Sequence, residues 1–213
     1  MRRWNGWGDD ATHYPMPNGG EGFLADRVGP GNVLPDASLD AVIAHVPESR
    51  LPEDLRIDRS PETRIRHSRG QSLPDWLAVR SGDFQVFTDG VAFPKTKEEI
   101  RSIMAWAERE GWTLITYGGG TSVAGHITPQ MQDKPVLTIS LAHMNRLLHL
   151  DPTSQLATFG PGTAGPDVEA QLKPHGYVLG HFPQSYELST IGGWVATRSS
   201  GQQSYRYGRI EQM

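Results

Sequence analysis

Between Thr113 and Gly125 a short apolar stretch, Thr-Leu-Ile-Thr-Tyr, runs directly into Gly118, Gly119, Gly120, Thr121, Ser122, Val123 and Ala124. Three consecutive glycines let a backbone curl until successive amide N–H groups face one centre, a concavity suited to a phosphate. Thr121 and Ser122 add hydroxyl donors at the same place, where a charge-assisted hydrogen bond is worth roughly 1.5–3 kcal/mol. An ordinary glycine-rich turn with no ligand has the same composition, and that alternative stays open at this point. Spacing excludes two other phosphate loops. No Lys-Ser or Lys-Thr follows the glycines, so this is not a nucleoside-triphosphate loop. Val123 stands where a dinucleotide fingerprint needs its next glycine, so that pattern fails too.

A second dense region runs from Gly180 to Gly201. Gly192 and Gly193 would let a backbone or a flat ring approach closely. Ser185, Ser189, Thr190, Thr197, Ser199 and Ser200 offer short donors around them, and Arg198 is the one basic residue in the stretch. A tightly packed helix–strand crossing needs small residues as well, so chemistry alone leaves both explanations standing. Two such regions in one chain suggest an extended, polar, flat ligand held from both sides. His126, His175 and His181 read as loop or core histidines, because neither metal-ligand spacing nor an acidic neighbour accompanies them. No metal site is expected.

These residues need elements to hold them. The first 35 residues, rich in Gly, Pro, Asn and Trp, predict an irregular arm whose Trp4 and Trp7 pack onto another surface. Residues 38–46 predict a short helix stopped by Pro47, and 73–80 a second with Trp76 and Leu77 facing inward. Phe84 to Thr88 alternates as a half-buried strand. Thr96 and Glu99 form a capping box that opens a helix, with Ile100, Ile103, Met104 and Ala107 on one face and Gly111 as its stop. Strands follow at 112–117, 136–141 and 155–159, with a weaker one at 147–150. Gly165 starts a further helix, with Pro166 in its first turn. Short strands separated by two helices predict an α+β domain rather than a continuous βαβ series.

The chain has 213 residues and a net charge of −4, with 24 Gly and 16 Pro pointing to many loops. Interspersed charge argues against a nucleic-acid partner. The run Arg56, Arg59, Arg64, Arg66 and Arg69 is interrupted by Asp54, Asp58 and Glu62, and reads as a solvated surface. There is no cysteine, which excludes disulfides, thiolate metal sites and a Cys nucleophile. No secretory signal and no run long enough for a membrane span is visible, so a cytoplasmic protein is expected. Peripheral membrane contact and a homodimer are left open.

The glycine loop resembles the pyrophosphate loop of the vanillyl-alcohol oxidase / p-cresol methylhydroxylase superfamily of FAD-binding proteins. Within it the chain is most similar to the alkylglycerone-phosphate synthase family. Arg3 to Gly8, Met144 to Leu148, His175 to Pro183, Ser185 to Gly201 and Tyr207 to Glu211 carry that likeness. The resemblance implies a PCMH-type FAD-binding domain of two small α/β subdomains with mixed sheets over 81–213, preceded by an N-terminal arm and short helices over 1–80. It implies that Gly118 to Ala124 cradle the FAD pyrophosphate. Gln184 to Thr190 and Thr197 to Ser200 would line the flavin and its ribityl chain, with FAD bound non-covalently. The family commonly has Asp where Gln184 stands here. His126 is the one histidine that a covalent link would use.

The family's later FAD contacts and its substrate or cap domain are expected beyond Met213, so the chain reads as the N-terminal part of a longer enzyme, inactive by itself. No catalytic acid or base can be named within it. An unpaired sheet edge would make such a fragment marginally stable. The implied reaction exchanges the acyl chain of acyl-dihydroxyacetone phosphate for a long-chain alcohol. An FAD-dependent D-2-hydroxyacid dehydrogenase or oxidase is the alternative, and a non-catalytic binding domain is a third.

Overall fold

The structure, a computed structural model, describes residues 2–32 and 35–213. Within the arm, Gly20–Val28 forms helix α1, where an irregular segment was expected; none of its residues is buried, so it is a solvated helix. Its Arg27 guanidinium sits 3.6 Å from the Phe23 ring centre, one local contact that holds it. Leu39–Ile43 is α2, Ile57–Asp58 is strand β1, Pro61–Arg66 is α3 and Leu73–Ser81 is α4. Trp4 packs against the core that these helices share, built on Val42, Ile65, Val79, Phe84 and Phe87.

Strand β2 is Gly90–Ala92, helix α5 is Lys97–Glu110, β3 is Thr113–Tyr117 and β4 is Val136–Ser140. They form one four-stranded mixed sheet in the order β1-β2-β4-β3. β4 runs parallel to both neighbours, and β1 is antiparallel to β2. Every residue of β4 is buried, as suits a central strand covered on both faces. Residues Ile57 and Leu51, from the span expected as a separate N-terminal unit, lie in this sheet's core with Ala92, Ile103, Leu137 and Ile139.

The expected strand at 84–88 is absent. Phe84 and Phe87 stack with planes 4° apart and centres 5.0 Å apart, a spacing that puts both on one side and breaks the alternation a strand requires. The Thr88 amide donates to Ser68 Oγ and its carbonyl accepts from Arg64 Nε, so side chains take the place of a ladder. Two inward assignments also change. On α4 the buried residues are Asp75 and Val79, while Leu77 faces solvent; on α5 Met104 is exposed. Asp75 turns inward because its carboxylate caps Ser72 and accepts from Thr128 Oγ1. At the start of α5, Thr96 Oγ1 accepts from the Glu99 amide, but the Glu99 carboxylate reaches the Lys95 amide, one residue earlier than the expected box.

Asp89 fixes the edge where β2 begins. Its carboxylate accepts from Arg50 Nη2 at 2.7 Å, from Arg50 Nε at 2.8 Å and from the Val136 amide at 2.7 Å. Burial by itself would raise this carboxyl's pKa, but the hydrogen bonds from Arg50 and Val136 outweigh it and hold the pKa below its ordinary value.

The remaining elements are β5 (Leu147–Asp151) and β6 (Leu156–Phe159), an antiparallel hairpin, then α6 (Gly165–Leu172), α7 (Ile191–Thr197) and α8 (Ser204–Tyr207). Their core is Val168, Leu172, Trp194 and Ile210, with Leu150 and Phe159 packed against it. This mixed α/β arrangement sets a sheet unit and a hairpin–helix unit side by side, and the two glycine-rich stretches meet where they touch.

Candidate functional site

Tyr117 closes β3, its carbonyl accepting from the Leu141 amide at 2.9 Å, and the chain then leaves the sheet. Gly118 and Gly119 pass against the segment Leu188 to Thr190: a Cβ on Gly119 would stand 1.8 Å from the Leu188 carbonyl oxygen. Gly120 turns with φ +69 directly over the Tyr117 hydroxyl, where any side chain would collide. The loop's carbonyls are held from behind. Arg2 Nη2 donates to the Gly119 carbonyl at 2.6 Å, and the Gln71 amide donates to the Ser122 carbonyl at 2.6 Å.

The amides of Gly118 to Val123 donate to no acceptor among the described residues. Of these residues only Gly120 is buried, so the amides are open to an acceptor from outside the chain. All of these residues line a cavity of about 620 Å³. Across it stand Ser185, Ser189, Thr190, Gly192, Gly193, Thr197 and Ser199, so the fold unites the two stretches on one space. Ala124, Gln184, Arg198 and Ser200 stand outside the lining. Arg198 is the left-handed C-cap of α7, and its side chain points to Glu211 at 3.5 Å.

The second wall is more internally committed than the first. The amides that open α7 are taken: Ile191 donates to the Thr163 carbonyl and Gly192 to the Pro161 carbonyl, each at 2.9 Å. Ser189 Oγ accepts from Trp194 Nε1 at 2.7 Å, and Thr197 Oγ1 donates to the Gly193 carbonyl. Ser199 Oγ lies 2.6 Å from Nε2 of His181, whose pKa burial pushes down, keeping the ring neutral. The hydroxyls of Thr121 and Ser185 have no protein partner among the described residues. This wall therefore offers the Ser185 hydroxyl and flat apolar surface, whereas the glycine loop offers backbone donors and the Thr121 hydroxyl.

Among the described residues, no Asp, Glu, Lys or Arg lines the cavity. An anion bound there is held by amide dipoles and hydroxyls rather than by a countercharge. Ser122 Oγ sits 2.8 Å from His126 Nδ1, but that exposed ring has no third group orienting it among the described residues, so a hydrolytic triad is not assembled.

Sequence reasoning missed Pro161, Leu141, Trp194, Ile127 and Pro183, which also line the cavity. The signal for Pro161 was available. Gly160-Pro-Gly-Thr163 is a dense turn cluster between β6 and α6, and Cβ atoms at Gly160 and Gly162 would meet the Met144 and Leu141 carbonyls.

Comparison with known proteins agrees with this geometry. The family described as "FAD binding domain" matches residues 88–213. The chain is 32% identical over 244 residues to an alkyldihydroxyacetonephosphate synthase of Trypanosoma brucei brucei, covering 99% of this chain and 40% of that protein. A solved structure of alkyldihydroxyacetonephosphate synthase superposes with a TM-score of 0.86 at 30% identity, over 100% of this chain and 46% of that one. A weaker likeness, 27% over 62% of the chain and 13% of the relative, joins it to D-2-hydroxyglutarate dehydrogenase of Escherichia coli (strain K12).

Proposed function

This chain belongs to the family of FAD binding domains, with FAD as its cofactor, and from that premise we propose that it is the flavin-holding part of an alkylglycerone-phosphate synthase. In that reading the acyl chain of acyl-dihydroxyacetone phosphate is exchanged for a long-chain alcohol, without net oxidation or reduction. Bound FAD supplies an electron-accepting ring able to hold a substrate carbon while one group leaves and another arrives.

The observation that carries the proposal is the row of unpartnered amides from Gly118 to Val123 facing a cavity free of acidic side chains. These amides bind the pyrophosphate, and the hydroxyls of Thr121 and Ser185 add donors that need not leave another bond. Gly193 leaves room for the flat part of the ligand, since a Cβ there would meet nothing nearer than Thr190 Oγ1 at 3.5 Å. Trp194 and Pro161 provide apolar wall that excludes water from one side. His126 Nδ1 is engaged by Ser122 Oγ, which fits non-covalent binding.

The test is a visible absorption spectrum of purified protein before and after acid precipitation. Flavin bands that pass into the supernatant are expected. Colour held in the pellet would overturn the non-covalent assignment, and protein that cannot be reconstituted with FAD would overturn the site. The likeness to D-2-hydroxyglutarate dehydrogenase supports a second reading, oxidation of a D-2-hydroxyacid. Net bleaching of the flavin by D-2-hydroxyglutarate or D-lactate in the full-length protein would favour it over acyl exchange.

A further inference from the structure

On the opposite side of the glycine loop lies a smaller cavity of about 290 Å³, bounded by the arm (Arg2, Arg3, Trp4), by Arg66 at the end of α3 and by the turn joining α3 to α4 (Arg69, Gln71). The arginine run expected as solvated surface is one only in part: Arg56 is exposed, but Arg64 and Arg69 turn inward. Arg64 is 2% exposed, with Nε donating to the Thr88 carbonyl and Nη1 to the Pro47 carbonyl. Arg69 is half-buried, and its Nε is sealed from solvent without a hydrogen-bond partner. The whole guanidinium makes neither a hydrogen bond nor an ion pair among the described residues, and it lies over the Phe84 ring, 5.3 Å from its centre.

The sealed Nε costs free energy unless something satisfies it, while the two NH2 groups of the same guanidinium stay open to a ligand. The nearest carboxylates, Asp75 and Asp83, act on it through space from a neighbouring hollow that Arg69 also borders, and neither forms an ion pair with it. No Asp or Glu lines the cavity. Of its other cations, Arg66 is paired with Glu62 at 2.8 Å, whereas Arg2 and Arg3 direct their hydrogen bonds to the carbonyls of Gly119, Asp9 and Thr12. Gln71 has its side-chain oxygen bound by Trp76 Nε1 and its NH2 group uncommitted.

We propose that this cavity is a second ligand site, distinct from the flavin cavity, in which the Arg69 guanidinium and the Gln71 NH2 group hold a small oxyanion, a phosphate group. The planar fork of arginine matches such an oxyanion with paired hydrogen bonds, and the volume suits a small ligand rather than a nucleotide. The same anion ties the arm to the α3–α4 turn, because Arg2 and Arg3 border it from one side and Arg69 from the other. The source is either free phosphate or the phosphate of a small monoester.

The test uses protein saturated with FAD, so that the glycine loop is occupied, and follows melting temperature and tryptophan fluorescence during titration with inorganic phosphate and with glycerol phosphate. Chloride at matched ionic strength removes general screening. A saturable rise beyond chloride is expected, weakened about tenfold or more in Arg69→Gln with the flavin spectrum unchanged. Arg69→Lys, which keeps the charge but loses the fork, should weaken it less, and it serves if Arg69→Gln fails to fold. Stronger binding of glycerol phosphate assigns the site to a monoester; equal or stronger binding of inorganic phosphate assigns it to the free ion. No saturable effect in the unmodified protein, or an equal effect in Arg69→Gln and Arg69→Lys, overturns the proposal. Loss of the flavin reading leaves this outcome untouched, since the same titration without FAD must still depend on Arg69.

Discussion

At Gly119 an added methyl group would stand 1.8 Å from the Leu188 carbonyl oxygen, whereas at Gly193 the nearest atom would be Thr190 Oγ1 at 3.5 Å. Both glycines line the same cavity, one on each wall. Gly119 is small because the backbone of the second wall presses on it. Gly193 is small with open space in front of it. On the first wall, then, side-chain absence serves the junction between the two units while the amides serve the ligand. On the second wall the amides that open α7 are already bonded to the Pro161 and Thr163 carbonyls, and only the hydroxyls and the space beside Gly193 are available. Glycine-rich composition alone cannot separate these uses, because the residue has no side chain to advertise which one applies.

The largest effect should come from Gly119→Ala. The new Cβ meets backbone that cannot swing aside, so the junction opens, and a loss of more than about 3 kcal/mol in urea unfolding is expected. Unchanged stability with lost FAD binding would reverse the comparison and return Gly119 to the ligand.

Next is Asp89→Asn, which tests whether the sheet beneath the loop is held independently of any ligand. It removes a carboxylate that is 3% exposed and accepts from Arg50 and the Val136 amide. Because Arg50 is 42% exposed and can be solvated, the expected loss is about 2 kcal/mol rather than the full cost of breaking a buried pair. The sign of the pH effect follows from the lowered pKa of Asp89. Its contribution is present above the ordinary carboxylate pKa of about 3.9 and is lost as pH falls through the lower, folded value. Urea melts between neutral and acid pH should show that loss in the unmodified protein and a flatter profile in Asp89→Asn.

Gly193→Ala should do the opposite of Gly119→Ala. Alanine is the better helix residue, so stability should hold or rise by up to about 1 kcal/mol. FAD affinity should fall about tenfold, read by flavin fluorescence titration, because the methyl group enters the cavity. The smallest effect belongs to Ser200→Ala. Its residue stands outside the lining, and both stability and FAD affinity should stay within about 0.5 kcal/mol of the unmodified protein. A loss of FAD affinity there would extend the second wall beyond Ser199.

The sequence by itself determined the helix from Lys97 to Glu110, the strand into Gly118 and the helix beginning at Gly165. Each is specified by local chemistry: a cap, an apolar period, a glycine stop. It also marked the two stretches that face each other, since turn and small-residue composition is local too. What only the tertiary structure decided is the direction in which each group points. Phe84 and Val86 alternate well enough for a strand, yet Phe84 stacks on Phe87 in one core and the backbone of Thr88 bonds to Ser68 and Arg64. Arg64 and Arg69 sit in a run that reads as solvated, yet α3 buries the first and the α3–α4 turn folds the second inward. Pro161 joins the cavity only because the chain returns to place α7 upon it. Burial is a sum over contacts between residues far apart in the chain, and no local pattern carries that sum.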